Sequence, residues 1–564
     1  MVQWPPRSIA LSLQDVPGDP PMLRIAACLA TLAVAGCTAA PSRDVALNPL
    51  PGLEGEVVVT RHAGNDDLMT AGLGLEGLRQ MLPPASADAD AAEWRRRSIW
   101  SSWRGIADLR PGSLDELATV PGREFSAQLR LPGDNEPHRV VMQLPDHFDV
   151  ANPCLMVAPA SGSRGVYGAI AVAAPVGLPR GCAIVYTDKG AGSDFREAGA
   201  DGIYVPHAHN GDNPEARWGE HVLAAARFGL AILDREGLRR EAFTAGNVRV
   251  IATGISNGGG AVLRGGELDS EGLLDAVVAA APNIQPRWTG MRPLFDYVTE
   301  AALYQPCMLA DADRAEAPFV TPELREQGAR RCALLRSAGL LDARTAAGQA
   351  REAGERLRVA GWDEGALQLA GQNIAFDVWR AVAVTYASAY GRYGVGGHPC
   401  GFGFAMLDAN GRQRAATALE QQLWRSDGSG IPPTAGVAIV DPSAGGEDPL
   451  LPGLMCLRRL WTEEGPDARR VREGVDAVAA SGQPRVADTV IVHGADDALI
   501  PPAFTSRPYA AMANAHGRAV TYVEVPRAQH FDAFLPFPAM AGYVPLLPEV
   551  WRQLAAAVDG SAAP

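Results

Sequence analysis

Lysine is nearly missing from this chain. Lys189 is the single one, and arginine supplies the rest of the fixed positive charge. The formal net charge is −14, with the acids scattered rather than gathered in blocks. That balance offers no basic stripe to follow a nucleic-acid backbone, so no nucleic-acid partner is expected. The shortage of lysine reads first as compositional bias, with a specific need for an ammonium at position 189 as the alternative. No C-x-x-C spacing occurs among the 8 cysteines, which argues against a zinc site. Past the amino-terminal region no run is long and apolar enough for a transmembrane helix. No internal repeat, linker or separate polymer-binding module is evident.

What is present begins with an export pattern. Met22-Leu23-Arg24 precedes the apolar run Ile25 to Ala35, which is too short to span a bilayer and ends in small residues. Residues 1–37 are therefore expected to be an export signal, with Met22 as an alternative start. Val34-Ala35-Gly36-Cys37 reads as a lipobox, which would make Cys37 a lipid-anchored first residue. An ordinary signal cleaved near Ala39 or Ala40 is the alternative. The expected location is secreted or periplasmic, or outer-membrane-anchored through that lipid. Export makes the six remaining cysteines more apt to pair than to bind metal. Cys154–Cys182 between neighbouring strands, Cys307–Cys332 within an insert and the leftover Cys400–Cys456 are expected, although the sequence alone permits fifteen pairings.

Along the chain, residues 38–124 mix short helices and loops and are expected to pack on the core. Phe125 to Leu131 and Arg139 to Leu144 alternate as strands around Gly133-Asp134-Asn135, which predicts a hairpin. Buried-strand runs follow at Cys154–Pro159 and Cys182–Thr187, then a helix over Glu215 to Glu236 and a strand at Ala276 to Ala281. Thr489 to His493 and Val520 to Val525 resume the strands, and Pro548 to Val558 closes as a helix. Strands alternating with helices predict an α/β architecture, a mostly parallel sheet with helices on both faces. Its core halves would be 125–285 and 486–564, with 286–485 as a large helical cap insertion. One helix there, Asn373 to Tyr393, carries Phe376, Trp379, Val382, Tyr386, Tyr390 and Tyr393 on one face. Packing explains such a stripe; part of it lining an acyl pocket is the functional alternative.

Gly254-Ile255-Ser256-Asn257-Gly258 lies between the strand Val248 to Thr253 and a helix rich in small residues. A serine between glycines at that junction is a nucleophile elbow, which projects the hydroxyl from the carboxyl end of a sheet. Serine needs a base, and the base needs an acid to fix its tautomer. The elbow resembles that of the α/β-hydrolase fold, which implies the chain order serine, acid, histidine. Gly494-x-x-Asp497-x-x-x-Pro501 follows one late strand and Gln529-His530-Phe531 the next. Asp497 is preferred to the adjacent Asp496, and His530 to His493 and His516. The Asn257 N–H and the loop Ser161-Gly162-Ser163-Arg164-Gly165 are the expected oxyanion donors. His207 and His209, with Tyr167, are expected at the substrate entrance. A metal reading of His207-x-His209 with His221 lacks a carboxylate spaced to complete it, so neither metal nor cofactor is expected.

Several strings resemble the bacterial D-(−)-3-hydroxybutyrate oligomer hydrolases. They are Asp66 to Gly74, Ser161 to Ala169, Tyr186 to Gly190, His207 to Asn210 with Asn213 to Ala216, Thr253 to Gly260, and Gln529 to Phe534. The likeness runs from about residue 50 to the end. It implies an exported esterase that cuts short 3-hydroxybutyrate oligomers, products of polyhydroxybutyrate breakdown, to the monomer, with Ser256 as nucleophile. The expected partner is a small ester; the sequence leaves the oligomeric state open. A tannase- or feruloyl-esterase-like enzyme is the near alternative, but such enzymes flank the serine and histidine with cysteines, where this chain has Ile255 and Phe531. A binding lipoprotein with an inactive hydrolase core is the alternative from another class.

Overall fold

The computed structural model describes residues 50–561 apart from 84, 87, 115, 200, 201, 289 and 427–435. The expected export signal and Cys37 lie outside the described residues. Nine strands make the central sheet: β1 (Leu53–His62), β2 (Gly122–Leu129), β3 (His138–Pro145), β4 (Cys154–Pro159), β5 (Ala183–Thr187), β6 (Arg249–Ile255), β7 (Ala276–Ala280), β8 (Asp488–Gly494) and β9 (Thr521–Val525). Their spatial order is β1-β2-β3-β5-β4-β6-β7-β8-β9. The pairs β1–β2, β2–β3 and β3–β5 are antiparallel. Every pair from β5 to β9 is parallel. The segment 38–124 therefore does more than pack on the core, because it contributes the edge strand β1.

Side chains alternate across a strand, so a strand buried on both faces reads as an unbroken apolar run. β4 does this. Leu155 and Val157 face one cluster and Met156 and Ala158 the other. The helices that cover the faces and the site are α1 (Ala91–Arg104), α2 (Ile170–Gly177), α3 (Pro214–Arg235), α4 (Asn257–Leu268), α5 (Leu294–Met308), α6 (Val378–Tyr390), α7 (Ser506–Ala515) and α8 (Leu547–Asp559). α1, α2 and α8 bury Trp103, Ile170 and Val550 on the Met156 face, while α3, α4 and α7 bury Phe228, Val262 and Tyr509 on the Leu155 face. Each such large apolar side chain contributes about 1.5–3 kcal/mol when fully buried.

The insert between β7 and β8 is mainly helical and forms its own core, in which Trp379, Tyr390 and Trp424 meet Ala498, Ile500 and Phe504 from the loop after β8. Two expectations change here. A small antiparallel sheet of Gly403–Leu407, Gln413–Arg414 and Ala438–Val440 interrupts the helices; strands this short carry too little alternation to be read. The helix expected over 373–393 also breaks, because Asp377 takes a left-handed φ of 52° between Ala370–Ala375 and α6. The break turns Phe376 out to 48% exposure against Phe319, Phe534 and Phe537, and Tyr393 falls beyond the end of α6. All three expected disulfides form, Cys154–Cys182, Cys307–Cys332 and Cys400–Cys456.

Candidate active site

The strand order reverses at β4. β5 lies to one side of it and β6 to the other. Loops leaving two such neighbours part in opposite directions and open a crevice at their carboxyl ends. Ser161 to Arg164 leaves β4 on one side of that crevice, and Ser256 leaves β6 on the other.

Ser256 sits at φ 62° and ψ −124°, a strained region for any residue with a side chain. The glycines make the turn passable. A Cβ on Gly254 would come within 2.6 Å of the Gly258 backbone, and one on Gly258 within 2.4 Å of the Pro159 carbonyl oxygen. The Ser256 N–H donates to the Ala280 carbonyl at 3.0 Å, and its own carbonyl accepts from Asn283 N and Gly260 N. The strain is thus held from both neighbouring segments. Asn257 opens α4, so its N–H has no acceptor within the helix, and the positive end of the helix dipole faces the serine.

His530 follows β9 and Asp497 follows β8. His530 Nδ1 meets Asp497 Oδ2 at 2.6 Å, and both side chains are buried. That contact leaves His530 Nε2 as the ring nitrogen without a partner among the described residues. Asp497 Oδ1 accepts from Leu499 N and Ile500 N, each at 2.9 Å, and Oδ2 also accepts from His493 Nε2 at 3.1 Å. Burial alone would raise the Asp497 pKa. Its contacts with His530 and His493 outweigh that burial and hold the carboxyl well below its usual range. Of the two adjacent aspartates, Asp497 meets the imidazole; Asp496 is less buried and lies against Gly365 of the cap.

Ser256, Asn257, Ser161, Gly162, Ser163 and Arg164 line one pocket of about 50 Å³. Its far wall is apolar, with Leu294 and Val298 from α5 and Trp379, Val382 and Tyr386 from α6. The Tyr386 hydroxyl meets the Asn257 side chain, which is held in turn by Asn283.

Ser256 at a strained elbow beside orphan donors, and the Asp497–His530 pair on loops leaving the same carboxyl edge of the parallel sheet, are the group types that acyl transfer uses; among the described residues no hydrogen bond joins Ser256 to His530 Nε2. The sequence profile of the 3HB-oligomer hydrolase family matches residues 32–205 and 193–559. The chain belongs to that family. Among curated relatives, the D-(-)-3-hydroxybutyrate oligomer hydrolase of Paracidovorax citrulli strain AAC00-1 is 35% identical over 584 residues, covering 85% of this chain and 82% of that protein. The protein of that name from Cupriavidus metallidurans is 33% identical over 638 residues, covering 94% and 88%. Among solved structures, Candida antarctica lipase A aligns with a TM-score of 0.37 at 12% identity, covering 78% of this chain and 79% of that one. Feruloyl esterase B from Aspergillus oryzae aligns with a TM-score of 0.36 at 13% identity, covering 90% and 88%.

In this family member the other expected contacts are redistributed. His207 stands behind the pocket rather than at its entrance. Its Nδ1 meets Ser163 Oγ at 2.6 Å and its ring packs edge-on to Tyr386. Burial lowers its pKa to about 3, so the ring is neutral. His209 is not at the pocket. It accepts from Val205 N and packs against Phe404, because the short helix Pro206–His209 sends the two histidines in different directions. Tyr167 is also displaced. The loop folds back through Gly168 N to Gly165 O, and the Tyr167 hydroxyl donates to buried Glu124 at 2.7 Å under α1; a buried phenol needs such an acceptor. Two contributors escaped the sequence reading. Lys189 Nζ donates to the Gly162 carbonyl at 2.6 Å, and His493, weighed only as a rival base, steadies Asp497. Two signals pointed at position 189, the scarcity of lysine and the family-like string Tyr186 to Gly190.

Proposed function

We propose that this chain is an exported serine esterase that hydrolyses short 3-hydroxybutyrate oligomers to the monomer. The observation that supports it is the Ser256 elbow and the 2.6 Å His530–Asp497 contact on loops leaving the same edge of one sheet, in a member of this family. Ser256 Oγ attacks the ester carbonyl carbon while His530 Nε2 takes its proton, and Asp497 stabilises the resulting imidazolium. The Asn257 N–H and the Ser161–Ser163 loop receive the oxyanion, each donor being worth about 2.7–4 kcal/mol in the transition state. His530 then protonates the departing alkoxide. Water repeats the sequence and frees the acid and the serine. Among the described residues no disulfide flanks Ser256 or His530, which disfavours the tannase-like alternative. Export is supported by the apolar run after Arg24 and by the three cross-links.

Ser256→Ala is expected to lower kcat on 3-hydroxybutyrate dimer and trimer by at least about 10⁴-fold, with an unchanged circular dichroism spectrum. Fluorophosphonate labelling of the wild type alone would accompany it. Retained turnover would end the assignment of Ser256.

A further inference from the structure

The pocket at Ser256 is small for an enzyme acting on oligomers. At about 50 Å³ it has room for about three to five water-sized groups, by the about 10–15 Å³ that each requires. A 3-hydroxybutyryl unit has six heavy atoms, so the pocket holds at most one such unit. Three of its walls, Arg164, Leu499 and Phe531, are shared with a second cavity of about 850 Å³. The two cavities therefore meet at the catalytic crevice.

Their electrostatics differ. Arg164 is the one charged side chain lining the small pocket. The large trough adds Arg104 and Arg380, against a single carboxylate, Asp377. Arg380 is paired with that aspartate. Arg104 donates to the carbonyls of Leu78 and Arg79, and among the described residues no carboxylate pairs with it. Around these cations the trough is apolar, with Phe376, Val437, Ile439 and Phe537 among its walls, a match for the methyl-bearing backbone of such an oligomer. This also accounts for the exposure of Phe376, which the break at Asp377 turns toward the trough.

A hydroxybutyrate oligomer is polar in a directional sense. Cleaving any of its esters leaves the acyl half with the free hydroxyl end and the alcohol half with the carboxylate. An anion placed in the small pocket would meet only the shared, buried Arg164, amid apolar walls where desolvation is costly; in the trough it also meets Arg104 and Arg380. We infer that the enzyme removes one unit at a time from the hydroxyl end, holding that unit in the small pocket and the carboxylate-bearing remainder in the arginine-lined trough. The terminal acyl passes to Ser256 Oγ, the remainder departs as an alcohol carrying the proton from His530, and water releases the monomer. The inference rests on the oligomer-hydrolase reading above.

The test is a trimer deuterated only in its hydroxyl-terminal unit, sampled early in turnover. Deuterated monomer with unlabelled dimer is expected. Deuterated dimer, or label divided between both products, would overturn the direction while leaving the esterase reading intact. The carboxyl-terminal methyl ester of the same trimer is expected to show a KM about tenfold higher, the loss of one charge-assisted contact. Arg104→Met should shrink that difference by raising KM for the acid more than for the ester. Equal KM values in the wild type would overturn the role of the arginines without relying on any variant. An enzyme that cleaves p-nitrophenyl butyrate but leaves the trimer whole would sink the oligomer reading itself, and this inference with it.

Discussion

At the scale of single residues, Lys189 has the least ordinary position. It is fully buried at a left-handed φ of 50°, with its Nζ 5.1 Å from the centre of the Trp218 ring and bonded to the Gly162 carbonyl. A peptide whose carbonyl is held presents its N–H on the opposite side, so this contact fixes how Ser163 N is offered to the crevice. Lys189→Met is expected to lower kcat about 10- to 100-fold with KM little changed, in keeping with a displaced oxyanion donor. Lys189→Arg should not rescue it, because the planar guanidinium is bulkier and differently shaped. Burial pushes the ammonium pKa down to about 7, against the pull of Asp188. Between pH 7 and 10.5 the unfolded chain holds this proton and the folded chain does not, so its contribution makes stability rise with pH across that window. The melting temperature of the wild type minus that of Lys189→Met is expected to rise with pH over that range; a constant difference would show that Lys189 does not titrate. Ser256, Asp497 and His530 were legible as candidates because each sits in a short local string at a strand end. Tyr167 and His209 were not, since Glu124 and Phe404, distant in sequence, decide where they point.

At the scale of elements, the contact between α3 and α6 joins the hydrolase core to its cap. Glu215, in the first turn of α3, accepts from the Tyr390 hydroxyl on α6 and from Gln285 Nε2, both at 2.7 Å. Burial raises its pKa to about 7 despite those hydrogen bonds and the nearby Lys189 ammonium. A raised carboxyl pKa gives stability that is fully present below about pH 4.5 and is lost as pH rises through about 7. The loss amounts to at most about 3 kcal/mol. Glu215→Gln should flatten that fall, so the difference in melting temperature between variant and wild type is expected to change steadily between pH 4.5 and 7. A pH-independent difference would mean that Glu215 is already ionised. The same level shows what periodicity can deliver. β4, β6, β7 and β8 were readable as dense apolar runs, and α3 as an amphipathic one. The break before α6 was not, because an aspartate in a left-handed turn carries no signal in an otherwise helical stretch. β1 was missed for a related reason, since an edge strand with exposed Val58 and Val59 lacks the one-sided alternation that marks a half-buried strand.

At the scale of the whole molecule, the cross-links are unevenly distributed. Cys154–Cys182 ties β4 to the segment entering β5 inside the sheet, whereas Cys307–Cys332 and Cys400–Cys456 both lie in the cap. The sheet has its own extensive core on two faces, so losing its bridge leaves much to hold it. The cap has one core, and α5 and α6 bring the apolar wall of the substrate pocket from it. In the chain-entropy model a bridge across 56 residues is worth about 4 kcal/mol and one across 25 residues about 3.5 kcal/mol. The double variant Cys400→Ser/Cys456→Ser is therefore expected to lower the melting temperature by several degrees. It should also raise KM for oligomers more than it lowers the rate of fluorophosphonate labelling, because the serine, histidine and aspartate are carried by the sheet and its loops rather than by the cap. Calorimetry and labelling kinetics on the same preparation separate the two effects. Equal losses in both would mean that the cap and the sheet unfold as one unit and that the pocket wall cannot loosen by itself.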